Sequence, residues 1–297
     1  SMSPPPPTAS RRRIPQLGRA LRSRNYRLYF AGQGTSVIGT WITRVATSWL
    51  VWRLTHSAVL LGVVGFAGQI PTFLLAPVAG VWVDRLDRYR VLFATQTLAM
   101  LQSFALAALA LTGVIQVWHI IVLQVFQGFI NAFDMPSRQT FLLELVEDRD
   151  DLPNAIALNS SMVNGARLVG PAVAGVMIAA VGEGWCFLLD GVSYIAVIGS
   201  LFAMRIVTRA RTRRDTRVLA ELREGVRYAA GFPPIRAVLL LLALVPLMGM
   251  PYTVLMPIVA ASILHGGPHT YGFLMGASGV GALVGALYLA SRPSVRG

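Results

Sequence analysis

Eight runs of about 20 mostly apolar residues make up most of this 297-residue chain, and nothing else constrains its fold so strongly. A helix rises about 1.5 Å per residue and a bilayer's hydrocarbon is about 30 Å thick, so each run can cross. The runs fall at roughly 28–52, 58–82, 90–112, 117–135, 155–181, 186–204, 236–263 and 270–290. Barrel strands would show alternation over about ten residues, which these longer runs lack. The expected fold is therefore all-α, a polytopic membrane helical bundle. Composition agrees: 13% of residues are charged and mean hydropathy is +0.60, against about 25% charged in soluble domains.

A net charge of +13 would suggest nucleic acid in a soluble protein. Here the positions of the charges point elsewhere. All 26 basic residues are arginines, and all but Arg44, Arg53 and Arg167 lie before the first run, after an even-numbered run, or at the chain's end. The positive-inside rule then puts the N-terminus and every even-numbered exit in the cytoplasm, with the protein in the inner or plasma membrane. The expected partner is the lipid bilayer, not nucleic acid. A single cysteine, Cys186, allows no internal disulfide or metal spacing and reads as a small apolar filler. His56, His119, His265 and His269 are dispersed at run edges, with no nucleophile motif or phosphate loop, so neither enzymatic chemistry nor a cofactor is expected.

The organisation is uneven. Residues 1–27 form a Pro- and Arg-rich cytoplasmic tail, 28–204 a six-helix bundle, 205–235 a cytoplasmic connector, and 236–297 a further pair of helices. Loops after the odd-numbered runs are short, which predicts antiparallel packing of sequence neighbours. In the connector Val218, Leu219, Leu222, Val226 and Ala229 recur at helical spacing, so an amphipathic helix is expected at the membrane surface.

Polar residues inside the runs are the candidate functional groups, because a charge at mid-bilayer costs at least about 2.5–3.5 kcal/mol. Gln33, Ser36, Thr40, Arg44, Thr47 and Val51 share one face of the first run, which should point inward. Arg44 has three readings: an anion or substrate contact, a buried ion pair, or outward snorkelling. Gln124, Gln127, Asn131, Asp134 and Arg138 share a face of the fourth run, where Asp134 could latch onto Arg85 or Arg88 or simply end near water. Ser160, Asn164, Arg167 and Pro171 form a stripe on the fifth. Gln33, Thr40, Arg44, Gln127, Asn131, Asn164 and Arg167 are thus the candidate transport path. Asp190 in the sixth run could carry a proton, pair with Arg44 or Arg167, or sit hydrated and inert near the outer interface. Glycines at 272, 276, 279, 281 and 285 of the last run suit tight helix packing.

Between the second and third runs lie Gly80, Asp84, Arg85, Asp87, Arg88 and Arg90. This segment resembles the G-x-x-x-D-R-x-x-R loop signature of the major facilitator superfamily. Gly170, Pro171 and Gly175 resemble its antiporter motif, although packing alone also explains them. Phe133-Asp134-Met135-Pro136-Ser137-Arg138 and Leu222-Arg223-Glu224-Gly225 are similar to segments of the enterobactin-exporter-like branch, the transmembrane secretion effectors.

The resemblance implies a twelve-helix exporter of two six-helix halves, driven by protons and moving a siderophore, drug or related small amphiphile. It implies a gating role for the loop residues, a latch at Asp134 and Arg138, and Asp190 or Asp134 as proton carrier. Eight runs cover only the first half and the start of the second. The remaining helices are therefore expected from a longer chain or a partner. A lipid or lysolipid flippase on the same fold, and a non-transporting scaffold or remnant, are the alternatives.

Overall fold

The computed structural model describes residues 19–146, 148–205, 227–228, 231–249 and 251–291; the Asp84 side chain is among those it leaves undescribed. Every regular element in these residues is helical. A short 3-10 turn at Arg19–Arg22 leads into α1 (Arg24–Thr55), α2 (Ala58–Arg85), α3 (Arg88–Leu111), α4 (Val117–Leu145), α5 (Leu152–Val181) and α6 (Glu183–Ala203). Then follow α7 (Pro233–Gly249), α8 (Pro251–Ile258) with a π turn at Val259–Ile263, and α9 (Pro268–Ser291). The expected surface helix of the connector lies outside the described residues.

Local chemistry sets the ends. Ser23, Ser57 and Asp87 cap α1, α2 and α3 by accepting the backbone N–H of Tyr26, Leu60 and Tyr89. His56 at φ 50° and Gly182 at φ 90° turn the chain within one or two residues. Among the described residues five helices, α2 to α6, contain stretches long and apolar enough to span. At 32 residues α1 is longer than any of them but carries Arg24, Arg27, Arg44 and Arg53.

Short loops do not dictate the packing. Of the sequence neighbours joined by odd-numbered loops, α3 and α4 share a long interface, but α1 and α2, and α5 and α6, do not. The extensive contacts are α2 with α4, α1 with α6 and α5, α3 with α6, and α5 with α9. A loop ties only helix ends, whereas close approach requires small residues along the face. A Cβ on Gly128 of α4 would lie 2.6 Å from the Gly68 carbonyl oxygen of α2, and the Thr72 hydroxyl donates to the Gly128 carbonyl at 2.8 Å.

Apolar side chains cover the outside: Phe73 is 76% exposed and Phe202 69%. Inside, one cluster around Tyr26, Tyr29, Leu92, Phe141 and Leu201 fills the arginine-rich end. A second, around Val45, Leu106, Ile120, Phe187 and Tyr271, fills the other end. This exterior suits lipid, and the protein is a multi-pass membrane protein.

Candidate transport site

Between the two apolar clusters α1, α3, α4 and α6 each turn polar. Along α3 the buried face reads Leu92, Thr95, Gln96, Ala99, Gln102, Ser103 and Leu106, so polar groups occupy its middle two turns. Asp134 of α4 is buried there. Its Oδ1 accepts Thr95 Oγ1 at 2.9 Å and Gln96 Nε2 at 2.7 Å, and its Oδ2 pairs with Arg138 one turn on. The latch residue Asp134 therefore takes its ion pair from its own helix. Arg88 pairs instead with Glu144 at the end of α4 and is itself buried. The reason is geometric: Arg138 lies one turn from Asp134 on the same face, whereas Arg88 opens α3 at the arginine-rich end.

Asp190 is also buried, only 2% exposed. No ion pair among the described residues joins it to Arg44 or Arg167. The Ser103 hydroxyl donates to its Oδ2 at 2.8 Å, while Oδ1 has no hydrogen-bond partner. Gly39 of α1 makes the burial possible, since a Cβ there would stand 2.6 Å from Oδ1. Tyr194, one turn along α6, lies near Asp190, Asp134 and Arg138, and its phenol meets the Thr40 hydroxyl.

The polar stripe of α1 divides. Gln33, Ser36 and Thr47 are buried in the bundle, but Thr40 and Arg44 are open. The Arg44 guanidinium lies 4.6 Å from the centroid of the Trp41 ring, and Arg167 from α5 lies 5.8 Å from the same ring. Both distances fall within the range of a cation–π contact. None of the ion pairs among the described residues involves either arginine. Each stands far from a helix end, at a cost of at least about 2.5–3.5 kcal/mol per charge on insertion scales. Gln127 and Asn131 are half-buried and bond to each other at 3.1 Å, while Asn164 turns its amide back to the Ser160 carbonyl.

The Gly170, Pro171 and Gly175 segment meets two partners. A Cβ on Gly170 would come within 2.6 Å of Trp41 Cβ. One on Gly175 would lie 2.8 Å from the Pro268 carbonyl oxygen and 2.9 Å from Gly272 Cα of α9. In the loop between α2 and α3, Asp87 caps α3 and holds Arg90 at 3.5 Å, and Arg85 is exposed. Gly80 has open space where a Cβ would go. The Asp84 side chain lies outside the described residues.

Sequence spacing missed Thr95, Gln96 and Ser103, which share one face of α3 with Ala99 and Gln102 at helical intervals, and Tyr194, four residues after Asp190 on α6. It also missed Glu144, and Glu183, which grips Arg53 through two bonds of 2.9 and 3.1 Å.

A polar belt buried at mid-height in a helical bundle suits a transporter, and comparison with known proteins agrees. The pattern of the transmembrane secretion effector family matches residues 19–294. The chain belongs to this family of the major facilitator superfamily. Members are transporters, not enzymes. The chain is 28% identical over 263 residues to the staphyloferrin A transporter of Staphylococcus aureus, covering 88% of this chain and 66% of that one. It is 29% identical to the multidrug efflux pump Tap of Mycolicibacterium fortuitum, covering 85% of this chain and 63% of that one. With the macrolide efflux protein A of Streptococcus pyogenes it shares 24% identity, covering 89% and 67%. The chain thus spans about two thirds of the length of the relatives it matches.

Proposed function

We propose that the chain is the larger part of a secondary active exporter of small amphiphiles, coupled to protons. The observation that carries this reading is the pair of buried carboxylates, Asp134 and Asp190, held at mid-height in a member of a transporter family. A carboxylate in such a place is costly unless its protonation is used. Protonation of Asp134 would weaken its hold on Arg138, and protonation of Asp190 would remove a buried charge. Either event shifts the balance between inward-open and outward-open states. The relatives named above handle a siderophore, multiple drugs and macrolides, which favours an amphiphilic substrate. In this reading residues 28–204 form one half of the transporter and 236–297 begin the second, with the N-terminus in the cytoplasm of the inner membrane. Gln33, Thr40, Arg44, Gln127, Asn131, Asn164 and Arg167 contact the substrate, and the loop from Gly80 to Arg90 gates the cytoplasmic side.

The test uses proteoliposomes containing the 297-residue chain, or the chain extended to the length of its relatives, with a pH-sensitive dye inside. Addition of a macrolide or another amphiphilic drug is expected to stimulate proton flux. Asp134→Asn and Asp190→Asn are expected to abolish the stimulation. Export driven by a pH gradient in both variants would remove these residues as proton carriers, and headgroup-dependent lipid flipping without a gradient would replace the exporter reading.

A further inference from the structure

Among the described residues no carboxylate forms an ion pair with Arg44 or Arg167. Glu183 holds Arg53, Asp151 holds Arg19, Glu144 holds Arg88 and Asp87 caps α3. Asp134 is engaged by Arg138, and Asp190 faces Gly39 and Ser103. Arg44 stands eleven residues from the end of α1, about 16 Å along the helix, and Arg167 is midway along α5. Two guanidiniums therefore face one aromatic ring near the middle of their helices, and Arg44 is open beside it.

We propose that Arg44, Arg167 and Trp41 form a binding site for the oxyanion head of an amphiphile, a carboxylate or phosphate. A guanidinium presents a planar fork of donors that matches such a group, and two of them neutralise more charge than one. The indole orients both forks by cation–π contact and offers apolar surface to the carbon attached to the head. Gly170 keeps the arrangement tight, because its missing Cβ lets α5 close onto Trp41 and bring Arg167 within reach of a residue on α1. Only the identity of the ligand as cargo rests on the exporter reading.

The test is a fluorescence titration of the 297-residue chain in an uncharged maltoside detergent with 11-(dansylamino)undecanoic acid and with its primary amide. The acid is expected to bind about tenfold or more tightly than the amide, the difference one charge-assisted contact makes. Arg44→Gln and Arg167→Gln are expected each to reduce that preference, the double variant to abolish it, and the lysine replacements to retain part of it. Equal binding of acid and amide by the unaltered chain overturns the proposal even if the glutamine variants fail to fold. Phosphatidylglycerol added to the micelles separates two sources of the anion. Displacement of the acid that the double variant lacks assigns the site to a lipid head, and no displacement assigns it to a free amphiphile. The assay uses no gradient, so charge-selective binding without export fails only the exporter reading. Intact export with unselective binding fails only this site.

Discussion

The Ser103 hydroxyl donates to Asp190 Oδ2 at 2.8 Å, joining α3 to α6 between two apolar clusters. Ser103→Ala is expected to cost about 1–3 kcal/mol, because it strips a donor from a carboxylate whose other oxygen already lacks one. Repeating the change in an Asp190→Asn background should cost less. The unfolding midpoint in detergent measures both, and equal losses in the two backgrounds would show that this carboxylate does not depend on Ser103.

The clamp between Arg53 and Glu183 is asymmetric: the Arg53 side chain is 56% exposed and that of Glu183 8%. Removing the arginine leaves a carboxylate without its partner in a poorly hydrated place, whereas removing the acid leaves an arginine free to meet water. Arg53→Ala is therefore expected to lower stability by about 1–3 kcal/mol, and Glu183→Gln by less than about 1 kcal/mol. Thermal unfolding of the two variants side by side checks the order.

Asp134 offers Oδ1 to Thr95 and Gln96 and Oδ2 to Arg138. Asn at this position keeps an acceptor for α3 but turns a donor toward the guanidinium. Asp134→Asn is expected to cost about 2 kcal/mol or more. The double variant with Arg138→Gln, in which two amides can bond reciprocally, should be closer to the parent. A double-mutant cycle on unfolding midpoints decides this, and additive losses would contradict the pairing.

Gly272 and Gly281 lie on the same helix in different surroundings. A Cβ on Gly272 would stand 2.4 Å from the Pro171 carbonyl oxygen, whereas one on Gly281 meets nothing within 4 Å. Gly272→Ala is expected to loosen the contact of α5 with α9 and cost about 1–3 kcal/mol. Gly281→Ala should be neutral or slightly stabilising, since alanine favours helix. Disulfide trapping between cysteines introduced along the two helices should weaken only in the first variant.

The helical membrane fold was legible because apolar runs report helix length without any knowledge of neighbours. Spacing also identified the residues of a face: Gln127, Asn131, Asp134 and Arg138 do form one stripe. It could not say which helix stands opposite that stripe, because the contacts are between helices distant in sequence. Asp134 thus lacked its partners Thr95 and Gln96, and Asp190 was given arginines that stand elsewhere. The position of Trp41 between two arginines depends on Gly170 of another helix, which no periodicity within α1 reveals.

Where α5 crosses α9, backbone lies against backbone at Gly175 and Gly272. A contact between interlocking side chains must unlock before it turns, whereas this one has no teeth at the crossing. It can act as a bearing, about which one helix pivots while its axis stays in place. The clearance of that bearing is less than the thickness of a methyl group, so a single added carbon would jam it.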